Sequence, residues 1–251
     1  MSWDTSTLCA QLRELGVQPG DAVLTHSSFK SLGPGNGGPT EVVKAILDTV
    51  GPAGTALFPT HTWVDAGPDS PPAFDVLNTP SAKVGVIPEA ARLWPGAIRS
   101  LHPTHSVAAI GRDAKWFTEG HYAGGICGIG SPYDRLCDYN SGNGYILLLG
   151  VDHERNTSLH MPEELLRIPD ALDGSGICRL TDYEGDEHLR VTEFHSWRHR
   201  NFMVLDKDLD RDSIQVCGFV AAAHTRLVNA RRLREFALHA LRTNANYFWA
   251  D

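Results

Sequence analysis

The chain has 251 residues, 42% hydrophobic and 21% charged. That is enough apolar content for a sizeable core, and it excludes a chain too polar to fold. The formal charge of -8 argues against non-specific binding to nucleic acid or anionic membrane and suits a cationic small substrate. Five scattered cysteines with no C-x-x-C pair argue against a disulfide framework or a zinc ribbon. No apolar run approaches the roughly 18 residues of a membrane span. The N-terminus lacks a basic stretch followed by an apolar one, so the expectation is a cytoplasmic protein of one domain, residues 1–251. Twelve histidines add weight to acid-base or metal chemistry.

In chain order, Leu8, Leu12 and Leu15 fall on one face of a predicted helix stopped by Gly16, and AVLTH (22–26) reads as a strand. The loop HSSFKSLGPG (26–35) follows, and Thr40 is expected to cap a helix carrying Val42, Val43, Ile46 and Val50. TALFPTH (55–61) is the next strand, and residues 63–79, rich in Pro, Asp and Gly, read as a long surface excursion. Residues 84–94 are helical in pattern, with Pro88 in the first turns. HSVAAIG (105–111) and YILLLGV (145–151) are continuous apolar runs of strand length, as expected for strands buried on both faces. Residues 177–194 read as a hairpin turning near Glu184, Gly185 and Asp186, and Asn229 caps a last helix with Leu233, Phe236, Ala237, Ala240 and Leu241 in one stripe. Strands alternating with helices predict an α/β layered domain, a central mixed sheet flanked by helices, with the hairpin as the antiparallel part.

Three clusters carry candidate chemistry. The loop after the first strand combines hydroxyls, Lys30 and four glycines, which suits either an anion held by backbone N–H groups or an ordinary turn; it matches neither phosphate-loop pattern. His102 and His105 form H-x-x-H before a strand, two ligands where zinc needs three or four, and Pro103 keeps the segment out of a helix. In LLLGVDHERNTSLHMPEE (147–164), Asn156 or Thr157 starts a short helix with His160 in its first turn, where open α/β sheets bind ligands and a histidine can serve as a general base. Glu163 and Glu164 follow three and four residues later, within reach of the same helical face.

The blocks THSSFKSLG (25–33), GTALFPTHTW (54–63), residues 74–111, SPYDRL (131–136) and residues 147–164, taken in order, resemble the aminoglycoside 3-N-acetyltransferase family, also called antibiotic N-acetyltransferases. The resemblance implies an acetyl-CoA dependent acyltransferase of that family's own α/β fold, distinct from the GCN5 type. It implies that His26, Ser27, Ser28, Lys30, Ser31, Leu32 and Gly33 hold the coenzyme phosphates. It also implies that His102, Thr104, Ser106 and Val107 line the pantetheine arm, that His160 is the catalytic base and that Glu193 orients it. N–H groups near Thr157 then face the developing oxyanion, and no metal is called for. If the acceptor is an aminoglycoside, Glu163, Glu164, Asp65 or Asp75 supplies the negative charge it needs.

Two departures stand out: Arg198, His199 and Arg200 lie where the family usually has acidic residues, and Ala221 lies where it commonly has glycine. The basic run fits an amino sugar, nucleotide-linked amine or other anionic amine as the acceptor instead. The remaining readings are a metal-dependent hydrolase using His102, His105 and His160, and a coenzyme-binding module without catalysis. The expected partners are small molecules, with the chain a monomer or homodimer.

Overall fold

The structure is a computed structural model and describes residues 2–62, 66–81 and 84–249. The strands are β1 (Ala22–Ser27), β2 (Thr55–Pro59), β3 (Ala73–Asp75), β4 (Ile98–Arg99), β5 (Val107–Gly111), β6 (Gly144–Leu149), β7 (Leu172–Thr181), β8 (Glu187–His195), β9 (Gln215–Val220) and β10 (Ala223–Asn229). The helices are α1 (Thr5–Leu15), α2 (Pro39–Val50), α3 (Val86–Arg92), α4 (Ala114–Thr118), α5 (Pro132–Asp138), α6 (His160–Leu165), α7 (Asp206–Arg211) and α8 (Ala230–Thr243). None of these helices is long and apolar enough to cross a membrane.

Seven strands form one sheet in the order β4, β5, β2, β1, β6, β10, β9. β1 runs parallel to β2 and β6, while β5, β4, β10 and β9 pair antiparallel. The expected α/β fold with a mixed sheet is therefore present, but the predicted hairpin is not what mixes it. β7 and β8 pair with each other and β7 with β3, making a separate three-stranded sheet. β3 lies inside the stretch read as irregular excursion; three residues are too short for a period-2 signal.

Alternation along the central strands builds two cores. Ala22, Leu24, Ile146 and Leu148 pack on one face against α4, α5, α6 and α8. Val23, Leu147 and Leu149 pack on the other against α1, α2 and α3. Each such leucine, fully removed from water, contributes roughly 1.5–3 kcal/mol. α2 is capped by Gly38, whose N–H donates to Glu41 at 2.7 Å, and Thr40 lies within the helix instead of capping it. Asn229 does cap α8, its side chain accepting from the Arg232 N–H.

The loops leaving β1 and β6 diverge, since β1 leads through α2 to β2 while β6 lies on its other side. Their carboxyl ends therefore form the crevice at a topological switch point. The two loops are pinned together: Ser28 N–H donates to Leu149 C=O at 2.9 Å, and Ser31 Oγ donates to Gly150 C=O at 3.0 Å. Gly150 has φ +68°, and a Cβ there would stand 2.5 Å from that of Ser31, so this approach requires glycine.

Candidate active site

A cavity of about 1000 Å³ opens in this crevice. Its walls are the end of β1 and its loop (25–30), the segment after β6 up to His160, Thr104 and His105, and residues 194–200 at the end of β8.

His160 opens α6, and Glu163 lies one turn on along the same face. Nδ1–H of His160 donates to Glu163 Oε2 at 2.8 Å, and the Glu163 side chain is only 1% exposed. Arg200 Nε donates to both Glu163 oxygens, at 3.1 and 3.2 Å. Arg200 Nη1 donates to the carbonyls of Ser196 and Arg198 and Nη2 to that of Ala171, and its guanidinium lies over the Trp249 ring. Burial first, and then the neighbouring His195, push His160 down to about 4, so the imidazole is neutral near pH 7. Burial alone would raise Glu163, but the hydrogen bond from His160 and the Arg200 charge outweigh it and hold the carboxyl below its ordinary range. A fixed anion on Nδ1 leaves Nε2 as the basic nitrogen of a ring that lines the cavity.

Glu193 does not reach His160. Its carboxylate pairs with Arg167 at 2.9 Å and is 43% exposed. It lies two residues, about 6.6 Å along a strand, before His195, which with Phe194 brings the end of β8 into the cavity wall. Glu163 and Glu164, expected to face an acceptor, lie beneath the site instead. Glu164 accepts from the N–H groups of Cys127 and Gly128 and from His195 Nε2 at 2.7 Å. Asp75 caps the turn after β3, accepting from the N–H groups of Leu77 and Asn78, and takes no part in the cavity wall. Asp65 lies outside the described residues.

The segments assigned to coenzyme divide similarly. His26, Ser27, Ser28 and Lys30 line the cavity. Thr25 Oγ1, His26 Nε2 and Ser27 Oγ are buried there without a hydrogen-bond partner among the described residues. Orphaned groups of this kind mark where a polar ligand completes the site, so the end of β1 fits the amide-rich, phosphate-bearing coenzyme. Ser31 is tied to Ser28 and Gly150, Leu32 belongs to the core, and the Gly33 carbonyl accepts from Trp3 Nε1; these three shape the loop and do not line the cavity. Of the second segment, Thr104 lines the cavity. His102 lies behind it, its Nδ1 accepting from the His105 N–H at 3.0 Å and its ring stacked on His121. Ser106 accepts from buried Arg99 and donates to Thr60 C=O, and Val107 is wholly buried in β5. Thr157 lines the cavity at the start of a 3-10 turn, where N–H groups lack intrahelical acceptors.

His105, flagged in the sequence only as half of the H-x-x-H pair, lines the cavity, as do His61, His195, Arg155 and the inward-turned Arg200, none of which the sequence singled out as site residues. The surplus of histidines was the only signal for His61 and His195. Among the described residues of the wall, Lys30, Arg155, Arg198 and Arg200 face a single acid, Glu154.

Comparison with known proteins agrees with this geometry. Residues 24–242 match the family described as Aminoglycoside 3-N-acetyltransferase. The chain is 32% identical over 242 residues to aminoglycoside N(3)-acetyltransferase IV of Salmonella sp, covering 95% of this chain and 87% of that protein. It is 31% identical over 267 residues to aminoglycoside N(3)-acetyltransferase VII of Streptomyces paromomycinus, covering 92% and 88%. The solved structure of AAC-IIIb in its binary complex with CoASH superposes with a TM-score of 0.86 at 27% identity, covering 100% of this chain and 99% of that one. An AAC(3)-IVa structure in complex with a gentamicin superposes with a TM-score of 0.85 at 29% identity, covering 100% and 93%. The fold, the crevice at the ends of β1 and β6 and the match over most of the chain lead to one conclusion: this protein belongs to the aminoglycoside 3-N-acetyltransferase family of acetyl-CoA dependent acyltransferases.

Proposed function

We propose that the chain transfers the acetyl group of acetyl-CoA to a primary amine of an aminoglycoside, the 3-amino group, with His160 as general base and Glu163 as the carboxylate that orients it. The observation that carries this reading is the 2.8 Å contact from His160 Nδ1 to a buried, Arg200-paired Glu163, on a ring that lines the cavity.

An imidazole pushed down to about 4 is too weak to deprotonate a free ammonium. It accepts the proton as attack on the thioester carbonyl makes the amine nitrogen acidic, while the N–C bond forms. Glu163 stabilises the imidazolium, and N–H groups at the turn beginning with Thr157 face the oxyanion. Collapse breaks the C–S bond, and the proton held on His160 passes to the leaving thiolate, so amine and acetyl-CoA become amide and free thiol. Lys30 and the hydroxyls and imidazole at the end of β1 hold the coenzyme end of the cavity.

The complex of the relative AAC(3)-IVa with a gentamicin supports an aminoglycoside acceptor. A second reading is favoured by the wall itself: with Arg200 paired to Glu163 and Arg198 to Asp170, Lys30 and Arg155 stand against Glu154, a small basic excess that suits an amine also carrying phosphate or carboxylate. Thiol release from acetyl-CoA, measured with a panel of aminoglycosides and of anionic amino sugars and nucleotide-linked amines, separates the two. Turnover with aminoglycosides supports the first reading, turnover confined to anionic amines the second, and no turnover with any member contradicts both.

A further inference from the structure

His105, Cys127 and His195 come from three distant parts of the chain, yet each brings one ligand atom to within 4.8 Å of the other two. Each imidazole has one nitrogen already held by a neighbour. His195 Nε2 is hydrogen-bonded to Glu164 at 2.7 Å, and His105 Nδ1 is paired with Thr104 Oγ1 at 2.9 Å. The remaining nitrogens are His195 Nδ1 and His105 Nε2. His195 Nδ1 has no partner among the described residues although its side chain is only 9% exposed. A carboxylate behind a histidine whose other nitrogen is unsatisfied is the arrangement that outer-shell groups impose on metal-ligating imidazoles. Cys127 is fully buried below the cavity and its backbone N–H is held by the same Glu164, so one carboxylate fixes two of the three groups.

We propose that His105, Cys127 and His195 form a binding site for a soft divalent cation of the zinc class. Two imidazole nitrogens and a thiolate are the donor set such ions select over magnesium or calcium. Tetrahedral bonds of 2.0–2.3 Å place ligand atoms about 3.5 Å apart, so the three draw together modestly on binding. Three protein ligands leave one position, on the side where His105 and His195 line the cavity. The site is not the H-x-x-H pair of the sequence, because His102 is committed to the backbone of its own loop. It adjoins the base without including it: the rings of His195 and His160 are 4.4 Å apart, and acyl transfer from the thioester needs no ion.

The test is titration of EDTA-dialysed protein with Co²⁺, which in a tetrahedral thiolate site gives intense visible bands and a near-ultraviolet sulfur-to-metal charge-transfer band. One equivalent should saturate both, and Zn²⁺ should displace it. Cys127→Ser should abolish the charge-transfer band, and His105→Ala should weaken Zn²⁺ and Co²⁺ binding by roughly tenfold or more. Cys217→Ser, which removes the exposed thiol, should change neither. If Cys127→Ser fails to fold, His105→Ala decides, because its side chain faces the cavity. The proposal is overturned by a wild-type protein without the thiolate band, by a band that survives in Cys127→Ser, or by unaltered affinity in His105→Ala.

Discussion

Replacing Glu163 by glutamine removes one charge from beneath His160 and keeps the side chain's shape. In the native site Oε2 accepts from His160 Nδ1 and from Arg200 Nε, and Oε1 accepts from Arg200 Nε as well. An amide has only one acceptor oxygen. Arg200, a buried cation whose other donors are fixed, captures it, and the amide NH₂ turns to Nδ1. The imidazole then carries its proton on Nε2 and is no longer a base toward the cavity. The loss is bounded by the whole value of positioned proton transfer, about 10²- to 10⁴-fold, and kcat should fall by roughly 10²- to 10³-fold. The stability cost is that of leaving the buried Arg200 guanidinium without its anion, about 3–5 kcal/mol, reduced by the hydrogen bond the amide oxygen keeps. Glu193→Gln touches only an exposed pair with Arg167, and kcat should stay within about twofold. Thiol release under saturating acetyl-CoA measures both, with urea melts as the control for folding. A large loss in Glu193→Gln beside near-native turnover in Glu163→Gln would refute the reasoning.

Lys30 is exposed and lines the cavity at the end of β1, where the coenzyme is proposed to bind. Lys30→Ala should weaken coenzyme A binding about 1.5- to 5-fold at low salt and less at 0.15 M, where exposed charges are screened within about 8 Å; a salt-independent loss in calorimetric titrations would contradict an electrostatic role. Burial pushes His26 to about 3 and His121 and His160 to about 4, and lowers His61, His102 and His105 well below the ordinary histidine value. Because the folded values lie below an unfolded value near 6.5, the unfolded chain binds more protons, so stability is present above about pH 6.5 and is lost as pH falls toward 4. Each such histidine adds a slope of about 1.4 kcal/mol per pH unit, and urea midpoints that stay constant from pH 7 to 5 would refute this. Ala221 stands at φ +50° between β9 and β10, which costs an alanine about 1–2 kcal/mol, offset in part by the chain entropy a glycine loses. Ala221→Gly should therefore raise unfolding stability by about 0.5–1 kcal/mol, and a lower urea midpoint would show the turn is not strained.

The apolar runs at 105–111 and 145–151 located the buried strands because burial on both faces leaves an unbroken hydrophobic segment. His160 was legible for a local reason: the strongest such strand ends a few residues before it. Its partner was not. Spacing puts Glu163 and Glu164 equally within reach of His160, and only packing shows that the first meets the imidazole while the second turns toward Cys127. Arg200 looked like part of a basic surface run, and nothing local signals that its guanidinium turns inward to a carboxylate 37 residues earlier. His195 is likewise brought in by the hairpin, whose separate sheet no periodicity could distinguish from an edge of the main one. Ser31 and Leu32 show the converse. The loop's composition suited an anion site or an ordinary turn alike, and which of its side chains face the cavity depends on contacts with Gly150, 119 residues away, and with the core.

The central claim, that His160 is the base, is tested most directly by the kcat of His160→Ala in acetyl transfer, with coenzyme A affinity measured on the same preparation. His160 lines the cavity, and its Nδ1 is engaged by Glu163. The account predicts a fall in kcat of about 10²- to 10⁴-fold, with coenzyme affinity little changed and no further loss when Glu163→Gln is added, since the two act as one unit. A His160→Ala protein that keeps near-native kcat, while His105→Ala loses it, would contradict the account and move the base to the neighbouring histidine cluster.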